Sequence, residues 1–551
     1  MALARERGIR LSLLTPKRGP AGYAALSRSE GLSLALLLLG TLMLAYPALT
    51  YSPPAGYWGY APAVVGSTSG ALSNLSVRTL PGEGRYYVGG ALLGYDFQGS
   101  MGGAAVAAAI VAGKPLTSFD YLYYLEDLGY NITFRAAGPS GSALASTLTL
   151  LSLLNLRAVN HPAMTGMIGL GGEVLVVGGV NVKAKAVKSY GIDTFLVPVG
   201  EAVPVKGLKV ITVESIIDAA KYFTNQNVTA ALGEVCNPPE ELKKLNVFES
   251  HYKKLYDMTV ELMKKYNINS TEITKNLKFA RWAAEEGNYY AAASYAFTAL
   301  INAYTIYYNR LLNVSSIDKA KDVIKTEVDG LKRYAELEPS GCGANYWSAE
   351  ACAAVYNREF RLKEMIKFLE AHANFTAPQS LSSVASTLAR AKARAVSVEL
   401  WASAVEELAQ VPYAPPIRDL HALAREAYAL GLAAARYALS VVPPGNALTN
   451  QIEDSVDEMA KAMFDGNFFK VIGLSSFAFE NSADALGSIQ NSTVVAKEVM
   501  PLVVGRSYCR TPSFIAYNYS QYVGSLLRTD PVAAEFLAYT ALYYAHLAEL
   551  N

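Results

Sequence analysis

The chain has 551 residues, 52% hydrophobic and 17% charged, a balance that excludes an intrinsically disordered or coiled-coil protein and leaves room for two or three domains. Its 48 Lys and Arg nearly cancel its 47 Asp and Glu, so it lacks the basic excess of a protein that tracks nucleic-acid phosphates. Five scattered histidines and no HExxH leave little for a zinc enzyme, and no metal or other cofactor is expected.

In chain order, residues 1–30 form a tail with Arg5, Arg7, Arg10, Lys17, Arg18 and Arg28 against only Glu6 and Glu30. Residues 31–49 follow without a charge, long enough to cross about 30 Å of hydrocarbon as one transmembrane helix. No basic residue appears after this span until Arg78, so the asymmetry predicts a cytoplasmic N-terminus and an exported remainder. The tail is long for a signal peptide and no A-x-A site follows the apolar run, which favours an uncleaved anchor in the cell membrane. Residues 50–80, rich in Pro, Gly, Ser and Tyr, read as a linker. Residues 81–230 alternate short β-rich runs with helices, the pattern of a domain that mixes both.

From 236 to 551 the sequence is helical at a 3.6-residue period, broken at Glu338–Gly343, Val411–Pro416 and Val441–Asn446. Within it, Phe279–Phe297 and Glu458–Phe479 share a plan: an Ala-containing helix, an acidic-Gly-Asn corner, then two aromatics opening the next helix. Two such copies without a 34-residue period favour an irregular helical bundle over a tetratricopeptide array. The apolar C-terminal run is interrupted by Glu535, His546 and Glu549, which suits a packed helix rather than a second span.

Two features agree with an exported location. Glycosylation sequons stand at Asn74, Asn131, Asn227, Asn269, Asn313, Asn374, Asn491 and Asn518, all beyond the apolar span. The four cysteines lie beyond it too, and Cys342–Cys352 as a local clip with Cys236–Cys509 as a long staple is the expected pairing.

The chemistry concentrates in the α/β region. Gly138-Pro139-Ser140-Gly141-Ser142 leads into a long apolar run, so Ser140 is expected at a helix N-terminus, where free backbone N–H groups and the positive dipole end can hold an oxyanion. A serine needs a base, and His161, the one histidine of this region, stands alone before a proline. Lys183 follows the Gly178-Gly179 corner, and its neighbours Val180 and Val182 would disfavour an ammonium and lower its pKa. Lys185 and Lys188 are alternative bases, and Ser142 an alternative nucleophile.

The ordered series Gly138-Pro139-Ser140, Met164-Thr165-Gly166, Gly178-Gly179-Val180 with Lys183, Gly191-Ile192 and Phe195–Pro198, closed by Leu208–Ala220, resembles the proteolytic domain of Lon proteases. The family's usual Gly-Pro-Ser-Ala-Gly is here Gly-Pro-Ser-Gly-Ser. The resemblance implies an α+β Lon-protease-like domain followed by a mainly α-helical domain. It also implies a serine endopeptidase with Ser140 as nucleophile, Lys183 as general base, and Thr165 and Gly141 in support. Rings are common in that family, so a homo-oligomer is implied. The ATP-driven module is missing: Gly113-Lys114 is followed by proline, and no Walker sequence occurs. The expectation is an ATP-independent enzyme acting on unfolded or flexible polypeptides, its helical domain docking substrates or partners. The alternative is a weakly active scaffold that mediates cell-surface interactions through that helical domain.

Overall fold

The computed structural model describes residues 56–551 apart from 67, 91, 129–134, 314, 373–380 and 488–491. The basic tail, the apolar span 31–49 and the sequons at Asn131, Asn374 and Asn491 lie outside the described residues. Among the described residues no helix is long and apolar enough to cross a membrane.

The stretch expected to be a linker is instead built into the sheet. Tyr57–Val65 (β1) and Ser69–Pro81 (β2) form a long antiparallel hairpin that turns at Gly66, whose φ of 63° suits glycine. Gly59, Pro62 and the small residues of the turn mask the pattern, yet both faces of this hairpin are covered. Leu75 and Val77 join the core beneath one face, while Leu72 packs with Val180, Ala184 and Val187 on the other. Small residues are needed here: a Cβ on Gly59 would come within 2.9 Å of Leu144 and Phe223.

The α/β half continues with β3 (Tyr86–Gly90), α1 (Tyr95–Ala112), β4 (Phe119–Asp127), α2 (Ser142–Leu153), β5 (Ala163–Met164), α3 (Val180–Ser189), β6 (Thr194–Pro198), β7 (Lys209–Val213) and α4 (Ile216–Ala220). The sheet order is β7-β6-β5-β1-β2-β4-β3. β1, β2 and β4 pair antiparallel, whereas β5, β6 and β7 add to β1 in parallel. Helices α1 and α2 are buried almost throughout and pack together under one face, and α3 covers the other.

The rest is mainly helical, as expected: α5 (Val247–Lys265), α6 (Thr271–Glu285), α7 (Tyr289–Asn313), α8 (Ile317–Lys332), α9 (Tyr346–His372), α10 (Leu381–Ala409), α11 (Leu420–Val441), α12 (Ala447–Phe464), α13 (Phe468–Ala485), α14 (Met500–Tyr508), α15 (Phe514–Leu526) and α16 (Pro531–Leu550). The two acidic-Gly-Asn corners are hairpin turns of one design. Gly287 and Gly466 take φ of 76° and 73°, and the next residue, Asn288 or Asn467, caps the following helix by accepting from Ala291 N or Lys470 N.

The two halves share a core. One continuous cluster runs from Leu75 and Leu144 in the α/β half to Tyr437 and Tyr539 in the helical half. Arg506 of α14 is buried against Glu549 and donates to the carbonyls of Ile110, Val111 and Leu232, capping the C-terminal end of α1. Both disulfides have the expected pairing, Cys236–Cys509 and Cys342–Cys352, with Cα separations of 5.2 and 5.4 Å.

Candidate active site

The strand before Ser140 ends in a glycine turn. Gly138 adopts φ 89°, a conformation that disfavours any side chain, and its N–H donates to Asp96 Oδ2 at 2.7 Å. The other oxygen of Asp96 accepts from Phe97 N, so one carboxylate at the start of α1 holds the turn in place. Pro139–Gly141 then form a single 3-10 turn, and the α-helix begins at Ser142. Ser140 therefore stands just ahead of the helix rather than in its first turn, because Gly141 keeps the chain in the tighter spiral before α2 opens.

The Met164-Thr165-Gly166 motif is stitched to this turn. Gly166 N donates to the Ser140 carbonyl at 2.9 Å, Thr165 Oγ1 donates to the same carbonyl at 3.2 Å, and Ala143 N returns a bond to the Gly166 carbonyl. Gly166 sits at φ 156°, and a Cβ there would lie 2.5 Å from Val174. It would also stand 3.2 Å from the Ala143 side chain at the head of α2, so both this packing and the approach of the two motifs favour glycine.

Lys183 lies on the first turn of α3, its N–H bonded to the carbonyl of Gly179, which takes φ 75° at the helix start. The side chain points inward and is only 3% exposed. Its Nζ donates to Thr165 Oγ1 at 3.1 Å, placing the amine two hydrogen bonds from the Ser140 backbone. Among the described residues this is the hydrogen bond of the amine; no direct one joins it to the Ser140 hydroxyl. Burial pulls the Lys183 pKa down from 10.5 to about 8, partly countered by the nearby charge of Glu201. Glu201 also accepts from Val177 N at 3.1 Å, which fixes the chain entering the Gly178-Gly179 corner.

The alternatives are otherwise engaged. Ser142 is fully buried; its hydroxyl donates to the Pro139 carbonyl at 2.6 Å and accepts from Ile168 N at 2.9 Å. Lys188 Nζ donates to the Gly207 carbonyl and Lys185 is exposed. His161 stacks on Trp58 at 3.6 Å and pairs with the Trp58 carbonyl. The sequence gives no sign of Asp96 or Glu201, since each reaches the site only through the fold. A cleft of about 270 Å³ lies beside this region, walled by Val174, Val176 and Val199 of the α/β half and by Thr493, Lys497 and Glu498 of the helical half.

Residues 134–232 match the Lon protease (S16) C-terminal proteolytic domain, a segment that contains Ser140, Thr165 and Lys183. Relatives include a Lon protease of Roseiflexus castenholzii, 29% identical over 24% of this chain and 17% of that protein. A Lon protease of Vibrio parahaemolyticus is 29% identical over 29% of this chain and 22% of that protein. An archaeal Lon protease of Methanocaldococcus jannaschii is 32% identical over 14% of this chain and 13% of that protein. The chain thus carries Lon-type proteolytic sequence but spans less than a quarter of the length of these relatives.

Proposed function

We propose that this chain is a serine endopeptidase in which Ser140 attacks the scissile carbonyl and Lys183 is the general base. The observation that supports it most is the buried, depressed Lys183 amine held by Thr165 against the Ser140 turn. Thr165 uses its own proton on the Ser140 carbonyl and accepts one N–H from Lys183. The amine's lone pair is then left for the Ser140 hydroxyl proton. After attack, the ammonium returns that proton to the leaving amine, and water clears the acyl-enzyme. The positive end of α2, directly behind the turn, favours the developing oxyanion.

The substrates in this reading are unfolded or flexible polypeptides, drawn in without ATP and lying along the cleft between Val176 and Lys497. The enzyme is anchored by residues 31–49 and faces the outside, where sequon glycosylation and the two disulfides belong. Asn227, Asn269 and Asn313 are exposed acceptors, whereas Asn74 is half-buried in β2 and the Asn518 amide already donates to the Phe514 carbonyl. A homo-oligomer completes the proposal. The test is cleavage of an unfolded protein by the purified full-length chain. Ser140→Ala and Lys183→Met each lower turnover by more than about a thousandfold while far-ultraviolet circular dichroism is unchanged. Wild-type turnover in either variant removes the assignment and leaves the scaffold reading, motivated by the large helical half.

A further inference from the structure

The helical half encloses a second cavity, of about 260 Å³, whose walls come from α5, α7, α9, α10, α13, α15 and α16 and include no residue of the proteolytic segment. Its contents are unusual for a helical core. Three guanidiniums, Arg358, Arg361 and Arg394, line it, and Glu480 is the only carboxylate among the lining residues. That carboxylate is already committed: it pairs with Arg361 at 2.8 Å and accepts from Ser476 at 2.6 Å.

Arg358 has no acid against it. It donates to the Ser397 hydroxyl, the Ala354 carbonyl and the Tyr519 hydroxyl, and lies 4.1 Å over Trp401. These three bonds leave two of its five N–H groups to spare. Arg394 is barer still. It lies 5.2 Å over Phe297, its buried Nε has no hydrogen-bond partner, and among the described residues it makes no hydrogen bond. His251 Nε2 and the Tyr544 hydroxyl, on two further walls, are buried and unpartnered as well. Burial, together with the neighbouring guanidiniums, pulls Arg394 down to about 9, and His251 down to about 4, so the imidazole adds no charge at neutral pH.

Two positive charges therefore stand uncompensated among aromatic rings, with donors left over. Buried guanidiniums are ordinarily paired, and leaving one bare is destabilising. The missing partner is an anion with enough acceptors to take several N–H groups and an apolar body to lie on Tyr290, Trp401 and Phe536. The exposed Thr298 forms part of the wall, so the cavity opens to solvent. We infer that this cavity binds a carboxylate carried on an aromatic body, its oxygens held by Arg358 and Arg394. That group occurs on a small aromatic acid and on the C-terminal residue of a peptide. The site stands independently of the catalytic assignment, since none of its residues touches the Ser140 turn.

Isothermal titration of the full-length chain tests it with four probes: 3-phenylpropionate, the peptide Ala-Ala-Phe with a free C-terminus, the same peptide amidated, and inorganic phosphate. Saturable one-to-one binding of 3-phenylpropionate supports the site. Added binding of the free peptide, at least tenfold tighter than its amide, identifies a peptide C-terminus as the source, and 3-phenylpropionate alone identifies a small acid. Arg394→Gln weakens either probe at least tenfold, and Arg394→Lys restores part of the loss. Thr298→Trp, a change at the exposed mouth, blocks binding without shifting the melting temperature, and serves if the Arg394 variants fail to fold. No saturable binding, binding that survives both Arg394→Gln and Thr298→Trp, or phosphate bound as tightly as the aromatic acid overturns the proposal.

Discussion

The Lys183 amine is depressed because of where its stem is buried, and in the proposed role of general base that has two measurable consequences. With the pKa lowered to about 8, log kcat/KM for an unfolded substrate should climb with a slope near one up to about pH 8 and level off above it. An ordinary lysine would keep climbing past pH 10. The same shift carries a stability sign. The folded state holds this proton less tightly than the unfolded chain, so below about pH 8 the charged amine subtracts stability. The penalty is relieved as pH rises from about 8 toward 10.5. Lys183→Met should therefore melt higher than wild type at pH 7, by the equivalent of about 2–3 kcal/mol, with the advantage shrinking at pH 10. Ser142 gives the contrasting case. Ser142→Ala strands Ile168 N in a buried site and should cost about 1–2 kcal/mol in chemical denaturation while most turnover survives. Ser140 and Lys183 stand out in the sequence because each follows a local glycine motif, whereas Thr165 enters only through the family resemblance of the ordered series. Asp96 does not stand out, being 42 residues from the backbone group it holds.

Turns and strands explain where reading by pattern succeeded. The corners at Gly287 and Gly466 were visible because an acidic-Gly-Asn sequence carries both the left-handed glycine and the capping side chain. β1 and β2 were not, because a proline, several glycines and serines suggest a linker until the sheet neighbours are known. β4 alternates plainly: Tyr121, Tyr123 and Leu125 are buried, with Tyr124 and Glu126 exposed between and beyond them. The Gly138 turn is the element that positions the proposed nucleophile. Gly138→Ala meets no steric neighbour, yet it must hold φ 89°, which costs about 1–2 kcal/mol. Its turnover should fall more than its melting temperature suggests, as the Ser140 turn relaxes away from Asp96; comparing kcat with thermal unfolding checks this.

The composition shift near Cys236 marks a real change from mixed to helical structure, but not a boundary in the core. The α1 terminus ends on Arg506, Tyr437 donates to the Ile168 carbonyl at 2.8 Å, and Tyr539 donates to Glu173. Such partners are hundreds of residues apart, which is why separate domains seemed the natural reading. The Cys236–Cys509 staple closes a loop of 273 residues across this junction. In a chain-entropy account its loss costs up to about 5 kcal/mol. Cys236→Ser with Cys509→Ser should thus unfold at a markedly lower temperature than wild type, whereas Cys342→Ser with Cys352→Ser, which opens a ten-residue loop, should lose less. Calorimetric scans of the two double variants settle the order.

The Tyr437 hydroxyl deserves a last consequence. It grips the same Ile168 whose amide anchors Ser142, so α11 of the helical half braces the floor behind the Ser140 turn. A fold braced this way cannot be trimmed to its α/β piece. Any fragment ending near residue 232 would expose Ala-rich helices and an unsupported Ser140 turn, and a ligand that pried α11 loose would loosen that turn from a distance.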